Sequence, residues 1–256
     1  MSHPIFSIFG PGQNGSSTLF SSIHSDHREL QVVPLHESEE QRFNIFHLQS
    51  FESLARVLGY FPGRKHRILY PVRQDVEHQT IAAFIRYISK IENRPDDLGL
   101  PPGRHWTPEA VIAAFDRFVV LQNLPTRYAE FHRRFLKQFD IKPSQALQGT
   151  QLFHRNRADI LLVPTELIYD SEPSLKSFTA PAKLTLMHVN HNSPNRKAVV
   201  DLLLPHVQET LAEDFRALRE EFPAFYTAET ARHNTGMWAQ LCSMLHLPFH
   251  SPVHAH

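Results

Sequence analysis

Twice in this chain a short apolar run stops at a turn and gives way to a helix start, and this repetition limits the fold more than any other feature. The first run, PIFSIF at 4–9, breaks at Gly10-Pro11-Gly12 and resumes as a helix at Ser16 or Ser17, expected to reach about Ser25. The second, RILYPV at 67–72, passes through Arg73 and Gln74 to Asp75, whose carboxylate suits the free N–H groups of a helix start. Apolar runs without polar alternation belong to strands buried on both faces, and strands alternating with helices build a parallel sheet. The expected class is therefore α/β, a central mostly parallel sheet flanked by helices.

Other segments fit the same plan. LQVVPLH at 30–36 reads as a strand that Pro34 ends early or sends to an edge, and RFNIFHL at 42–48 as a third strand. Ser50 caps a short helix over 50–60, and Ile81, Phe84, Ile85, Ile88 and Ile91 keep helical spacing after Asp75. A loop follows around Pro95, Pro101 and Pro102. Thr107-Pro108 opens a helix over 107–122, another covers 125–138, and a long one covers 203–221. DILLVPTELI at 159–168 and KLTLMHV at 183–189 supply late strands. The expectation is one domain over 1–245, with a helical insertion at 103–140 and a flexible His-rich tail at 246–256.

Charge narrows the partners. Lys plus Arg and Asp plus Glu both number 26, so the basic excess of a dedicated nucleic-acid binder is missing, and an anionic partner must be held locally. A lone cysteine, Cys242, forms no internal disulfide and suits a reducing compartment. With no apolar run long enough to span a bilayer and no signal-like start, the chain reads as soluble and cytoplasmic.

The turn after the first strand carries Gly12, Gln13, Asn14, Gly15, Ser16, Ser17 and Thr18. Glycines there let backbone N–H groups approach an anion, and the following helix adds its positive end. A tight structural turn is the other reading. It is not the nucleotide-hydrolysing type of phosphate loop, because no lysine follows Gly15. Arg73, at the end of the second run, offers a planar fork for phosphate, with Thr80 a turn into the helix. An ordinary surface pair with Asp75 or Glu77 is the alternative.

Together, QNGSST (13–18) and YPVRQDVEHQT (70–80) resemble the sulfotransferase superfamily, which uses 3′-phosphoadenosine 5′-phosphosulfate. The stretch 43–77 is similar to glycan sulfotransferases of the heparan sulfate 2-O type, and 127–143, 158–168 and 192–226 to bacterial capsular polysaccharide synthesis proteins. The resemblance implies a P-loop-like sulfotransferase architecture. It implies that Gly12 to Thr18 hold the 5′-phosphosulfate and that Arg73 and Thr80 hold the 3′-phosphate, with Arg196 and Lys197 as a late basic loop. The chain departs from the pattern at three points. Gln13 stands where the family has a Lys or Arg that neutralises the leaving oxygen. Gln74-Asp75 replaces Asp-Pro, and Ile81 takes the usual serine position.

Sulfuryl transfer also needs a base for the acceptor hydroxyl, and a histidine suits it. His47, ending the third run, lies at about the family's spacing before Arg73; His36 and Glu37 are alternatives. The pairs His24/His27, His188/His191, His246/His250 and His254/His256 lack the acidic and cysteine company of a zinc site, so no metal is expected. Arg64, Lys65 and Arg67 fall at the amino end of a strand, away from a site at the other end. Arg127, Arg134 and Lys137 share a helix face that could line an acceptor groove. The expected function is sulfuryl transfer to a hydroxyl, on a glycan. The rival is a catalytically degenerate member that binds a nucleotide or glycan, with Gln13 as its motive.

Overall fold

A computed structural model describes residues 4–12, 16–24, 45–90, 94–100, 106–146, 149–155, 157–180, 182–186 and 194–226. The expected strand at 30–36, with His36 and Glu37, lies outside the described residues, as do Gln13, Asn14, Gly15 and the tail. Side chains of Ser17, Thr18 and Arg196 also lie outside them.

A five-stranded sheet forms the centre, in the order β3-β1-β4-β6-β5. Its strands are β1 (Ile5–Phe9), β3 (Ile45–Leu48), β4 (His66–Val72), β5 (Gln151–His154) and β6 (Ala158–Pro164). All pair in parallel except β5, which runs antiparallel along the β6 edge. A separate two-residue pairing joins β2 (Ile23–His24) to β7 (Lys183–Leu184). Helices cover both faces of the main sheet: α1 (Ser16–Ser22), α2 (Phe51–Tyr60), α3 (Val76–Lys90), α4 (Arg94–Asp97), α5 (Pro108–Gln122), α6 (Thr126–Gln138), α7 (Glu172–Thr179), α8 (Pro194–Thr210) and α9 (Ala212–Glu221). The class is α/β with a mostly parallel sheet, as the alternating runs imply.

The strand period of two divides the core. Ile5, Phe9, Phe46, Leu48, Ile68 and Tyr70 face one way, into a large cluster with helices such as α3, α5, α6, α8 and α9. Phe6, Ile8, Ile45 and Leu69 face the other way, against Leu19 of α1 and Leu175 and Phe178 of α7. By this alternation His47 belongs to the α1 face.

Several helix starts follow their caps. Ser50 accepts from the Ser53 N–H at 3.2 Å, Thr107 from Ala110 at 3.3 Å with Pro108 in the first turn, and Asp75 from His78 at 2.9 Å. Elsewhere the elements differ from the sequence reading. The run at 159–168 stops being strand at Pro164, where Thr165–Leu167 turn into a short 3-10 helix. Of the late run, residues 183–186 are described, and among these the strand is Lys183–Leu184. The helix read as 203–221 is two, α8 and α9, broken at Leu211, which is buried at the corner between them.

On the large-cluster face sits a wholly buried polar chain. The Tyr70 hydroxyl lies 2.7 Å from His132 Nδ1, and His132 Nε2 lies 2.6 Å from the Tyr226 hydroxyl. It ties the central strand β4 through α6 to the segment after α9. Among the described residues, no helix is long and apolar enough to cross a membrane.

Candidate functional site

From β1 the chain moves to β3 on one side, and from β4 to β6 on the other. The order therefore reverses between β1 and β4, and in open parallel sheets ligands bind beyond the carboxyl ends of the strands at such a point. The turns flanking this reversal are those after Phe9 and after Val72. They are the two turns singled out in the sequence.

At the first turn, Gly12 has φ +87, in the left-handed region that suits glycine. Ser16 begins α1 and is buried, and its Oγ lies 2.9 Å from His47 Nε2. Phe20, four residues on and so on the same face of α1, stacks on the His47 ring at 5.5 Å between centroids. One helix face thus both hydrogen-bonds and orients the candidate base. Burial, and then the charge of Arg86, hold the His47 pKa below its ordinary value of 6.5. At neutral pH the ring is uncharged, as a proton acceptor must be. With the ring proton on Nδ1, Nε2 accepts from Ser16.

A serine–histidine pair is also the core of a hydrolytic dyad. Here no described carboxylate hydrogen-bonds His47, and Ser16 is only 3% exposed. The serine marks where the imidazole lone pair points.

At the second turn, Arg73 is half-buried and makes no hydrogen bond or ion pair among the described residues. Its charge is felt by both neighbouring carboxylates. Burial raises the Asp75 pKa, but the hydrogen bond and charge of His78, together with Arg73, outweigh it and leave the carboxyl below its usual range. Glu166, from the 3-10 turn after β6, is held above its usual range by burial, against its N–H bonds and Arg73. Its two oxygens accept from the backbone N–H groups of Gln74 at 3.0 Å and Asp75 at 3.2 Å. Thr80 is fully buried and its hydroxyl donates to the Val76 carbonyl at 2.9 Å, within its own helix.

The two turns are joined directly. Gln79 of α3 donates through Nε2 to the Gly12 carbonyl at 3.0 Å. This fixes the start of α3 beside the first turn, and the charge of Arg86, further along α3, is felt at His47. Gln79, Arg86 and Glu166 were not singled out in the sequence. A glutamine or arginine inside a helix reads as solvated face, and Glu166 falls in a run that reads as strand.

Lys197 is exposed in the first turn of α8. The other basic clusters have structural partners. Lys65 pairs with Asp159 at 2.7 Å, and Arg67 donates to the Phe178 and Ala180 carbonyls at 2.9 and 2.6 Å, all at the amino end of the sheet. Arg134 lies over the Phe51 ring at 4.3 Å, and Arg127 donates to Gln122 at 2.8 Å. Among the described residues, no three His, Cys, Asp or Glu side chains gather in a metal-like group. Compared with protein-family models, curated proteins and solved structures, the chain matches none.

Proposed function

We propose that the chain is a sulfotransferase-like enzyme that moves a sulfuryl group from 3′-phosphoadenosine 5′-phosphosulfate to a hydroxyl, on a carbohydrate. The observation that carries this reading is the 2.9 Å contact between His47 Nε2 and Ser16 at the sheet's reversal point. It supports the reading because the histidine that would serve as base lies within hydrogen-bond distance of the glycine-serine turn that would cradle the donor. The P-loop-like sulfotransferase architecture belongs to the same proposal.

The residues present suit such a donor. A turn with a left-handed glycine opens one side, and on the other stands Arg73, half-buried and without a hydrogen bond or ion pair among the described residues. Gly12, Gln13, Asn14, Gly15, Ser16, Ser17 and Thr18 would hold the 5′-phosphosulfate. Arg73 would hold the 3′-phosphate without Thr80, whose proton is engaged on Val76. The bound donor supplies an electrophilic sulfur and a phosphate leaving group. In the transfer, the acceptor hydroxyl replaces Ser16 at His47 Nε2 and gives it the proton. The acceptor oxygen bonds to sulfur, and the sulfur–oxygen bond to the 5′-phosphate breaks, its electron pair leaving on adenosine 3′,5′-bisphosphate. The histidine is re-formed when it gives up that proton to solvent.

Calorimetric titration with adenosine 3′,5′-bisphosphate, with ATP and ADP as controls, tests the reading. The expected result is selective micromolar binding that Arg73→Ala weakens at least tenfold, the loss of about 1.4 kcal/mol or more. No binding of the bisphosphate would overturn the donor assignment, and a His47→Ala protein with full transfer rate would overturn the base.

A further inference from the structure

The second turn already holds an anion of its own, the Glu166 carboxylate. Resting on the reading that Arg73 takes the 3′-phosphate, we propose that Glu166 belongs to that binding site: it is a rival anion that a bound phosphate converts, with uptake of a proton, into a neutral hydrogen-bond donor.

Contacts fix its placement. The two Glu166 oxygens accept from consecutive amides of the turn, Gln74 at 3.0 Å and Asp75 at 3.2 Å. An amide nitrogen lies about 2.4 Å from the preceding Cα, so Glu166 Oε2 lies within about 5.5 Å of the Arg73 Cα. Strand pairing agrees, because Val72 of β4 stands opposite Pro164, two residues before Glu166. A carboxylate thus sits where Arg73 leaves β4, on two amides that would otherwise suit two oxygens of a phosphate.

Among the described residues, the charged groups around Glu166 are Arg73 from the end of β4 and Asp75 and His78 from the start of α3. The two carboxylates are not alike. Asp75 accepts from the His78 N–H at 2.9 Å and lies 2.7 Å from the His78 ring, and it is held below the usual carboxylate range. Glu166 has its amides but no ion pair among the described residues, and burial holds it above that range. Where neighbouring carboxyls are driven apart in this way, the raised one is the group that exchanges its proton.

A phosphate arriving at Arg73 brings like charge against Glu166, and a like charge favours the protonated carboxyl. The group then takes a proton from solvent and ceases to repel. Its new O–H donates to a phosphate oxygen beside the Arg73 fork. A guanidinium alone would ask for no such proton.

The test is calorimetric titration of the full chain with adenosine 3′,5′-bisphosphate and, separately, with sodium sulfate. It is run at pH 5, 6 and 7 in buffers of different ionisation enthalpy, so that affinity and proton uptake are both read. Wild type is compared with Glu166→Gln and Arg73→Ala. Glu166→Gln is expected to bind at least threefold tighter than wild type at pH 7, with the ratio shrinking as pH falls and the wild-type carboxyl protonates. Wild type is expected to take up more proton on binding at pH 6 than Glu166→Gln, and Arg73→Ala to weaken both ligands. Equal affinity and equal proton uptake in wild type and Glu166→Gln, as a carboxylate that only capped the turn would give, overturn the proposal. Sulfate does not titrate in this range, so sulfate binding by wild type without proton uptake overturns it even if Glu166→Gln does not fold. If neither ligand binds, the donor assignment and the Glu166 role fall together. If sulfate binds through Arg73 and is tightened by Glu166→Gln while the bisphosphate does not bind, the donor assignment falls and the Glu166 role stands. If the bisphosphate binds through Arg73 and Glu166→Gln changes nothing, the Glu166 role falls and the donor assignment stands.

Discussion

Lowering the pH should unfold this protein through one buried imidazole. His132 is 1% exposed, enclosed by Phe222, Phe225 and the Tyr70 and Tyr226 rings, and its pKa is pushed down by burial from 6.5 to about 3. Its two ring nitrogens face two tyrosine hydroxyls, so a neutral ring donates to one and accepts from the other. A protonated ring could only donate, and would carry a charge into a cluster without a described counter-ion. The folded pKa lies below the unfolded one, so between the two values the unfolded chain binds a proton that the folded chain refuses. The contribution is therefore complete above pH 6.5 and is lost as pH falls toward about 3. In that window each pH unit costs about a factor of ten in the folding constant, or about 2 kcal/mol by pH 5 and about 3 by pH 4.

Denaturant unfolding at pH 7, 6 and 5 measures this, comparing wild type with His132→Gln. The amide can still donate and accept but does not titrate in this range, so other groups cancel in the difference. Glu166 is one such group, since its raised carboxyl returns stability as pH falls. Wild type is expected to lose about 2 kcal/mol more than the variant between pH 7 and 5. Parallel pH profiles would refute the reasoning. Should His132→Gln not fold, the His132 ring resonance decides, because titration above pH 5 in the native state contradicts a buried neutral ring.

Two further substitutions test the frame around the site. Asp75→Ala removes the acceptor for the His78 N–H, and thermal or denaturant unfolding at pH 7 should show a loss of about 0.5–2 kcal/mol. Because the Asp75 pKa is lowered, its contribution is present above the ordinary carboxylate value and is lost as pH falls through the folded one, so the two proteins should converge in acid. Pro205 sits exposed within α8, where it lacks the N–H for the helical bond, and Pro205→Ala should raise the melting temperature through about 1–3 kcal/mol of added stability.

Where local chemistry decides an element, the sequence was a sufficient guide. Ser50, Asp75 and Thr107-Pro108 start their helices where a side-chain acceptor or a fixed φ favours them, and β1 and β4 follow their apolar runs. Where pairing decides, it was not. QLFH at 151–154 has one buried side chain and becomes β5 only through its antiparallel bonding to β6. Glu172–Thr179 has an ordinary amphipathic composition and is fixed as α7 by packing Leu175 and Phe178 on the sheet. The site divides in the same way. Ser16, His47 and Arg73 occupy strand ends and helix starts, positions a sequence displays. Gln79 and Glu166 matter because the fold carries the start of α3 to the first turn and the 3-10 turn after β6 to the second, which no local pattern encodes.

The carboxylate of Glu166 has a consequence for how the second turn can recognise anything. Together with Asp75 it already satisfies the Gln74, Asp75 and His78 amides, while the Gln79 amide bonds to the Asp75 carbonyl. A visiting anion there meets a guanidinium, with the Gln74, Asp75 and His78 amides already taken. Attraction by charge alone is screened: raising the salt from about 0.1 M to about 1 M shortens its reach from about 10 Å to about 3 Å. Whatever Arg73 holds, it should hold in a salt-sensitive grip.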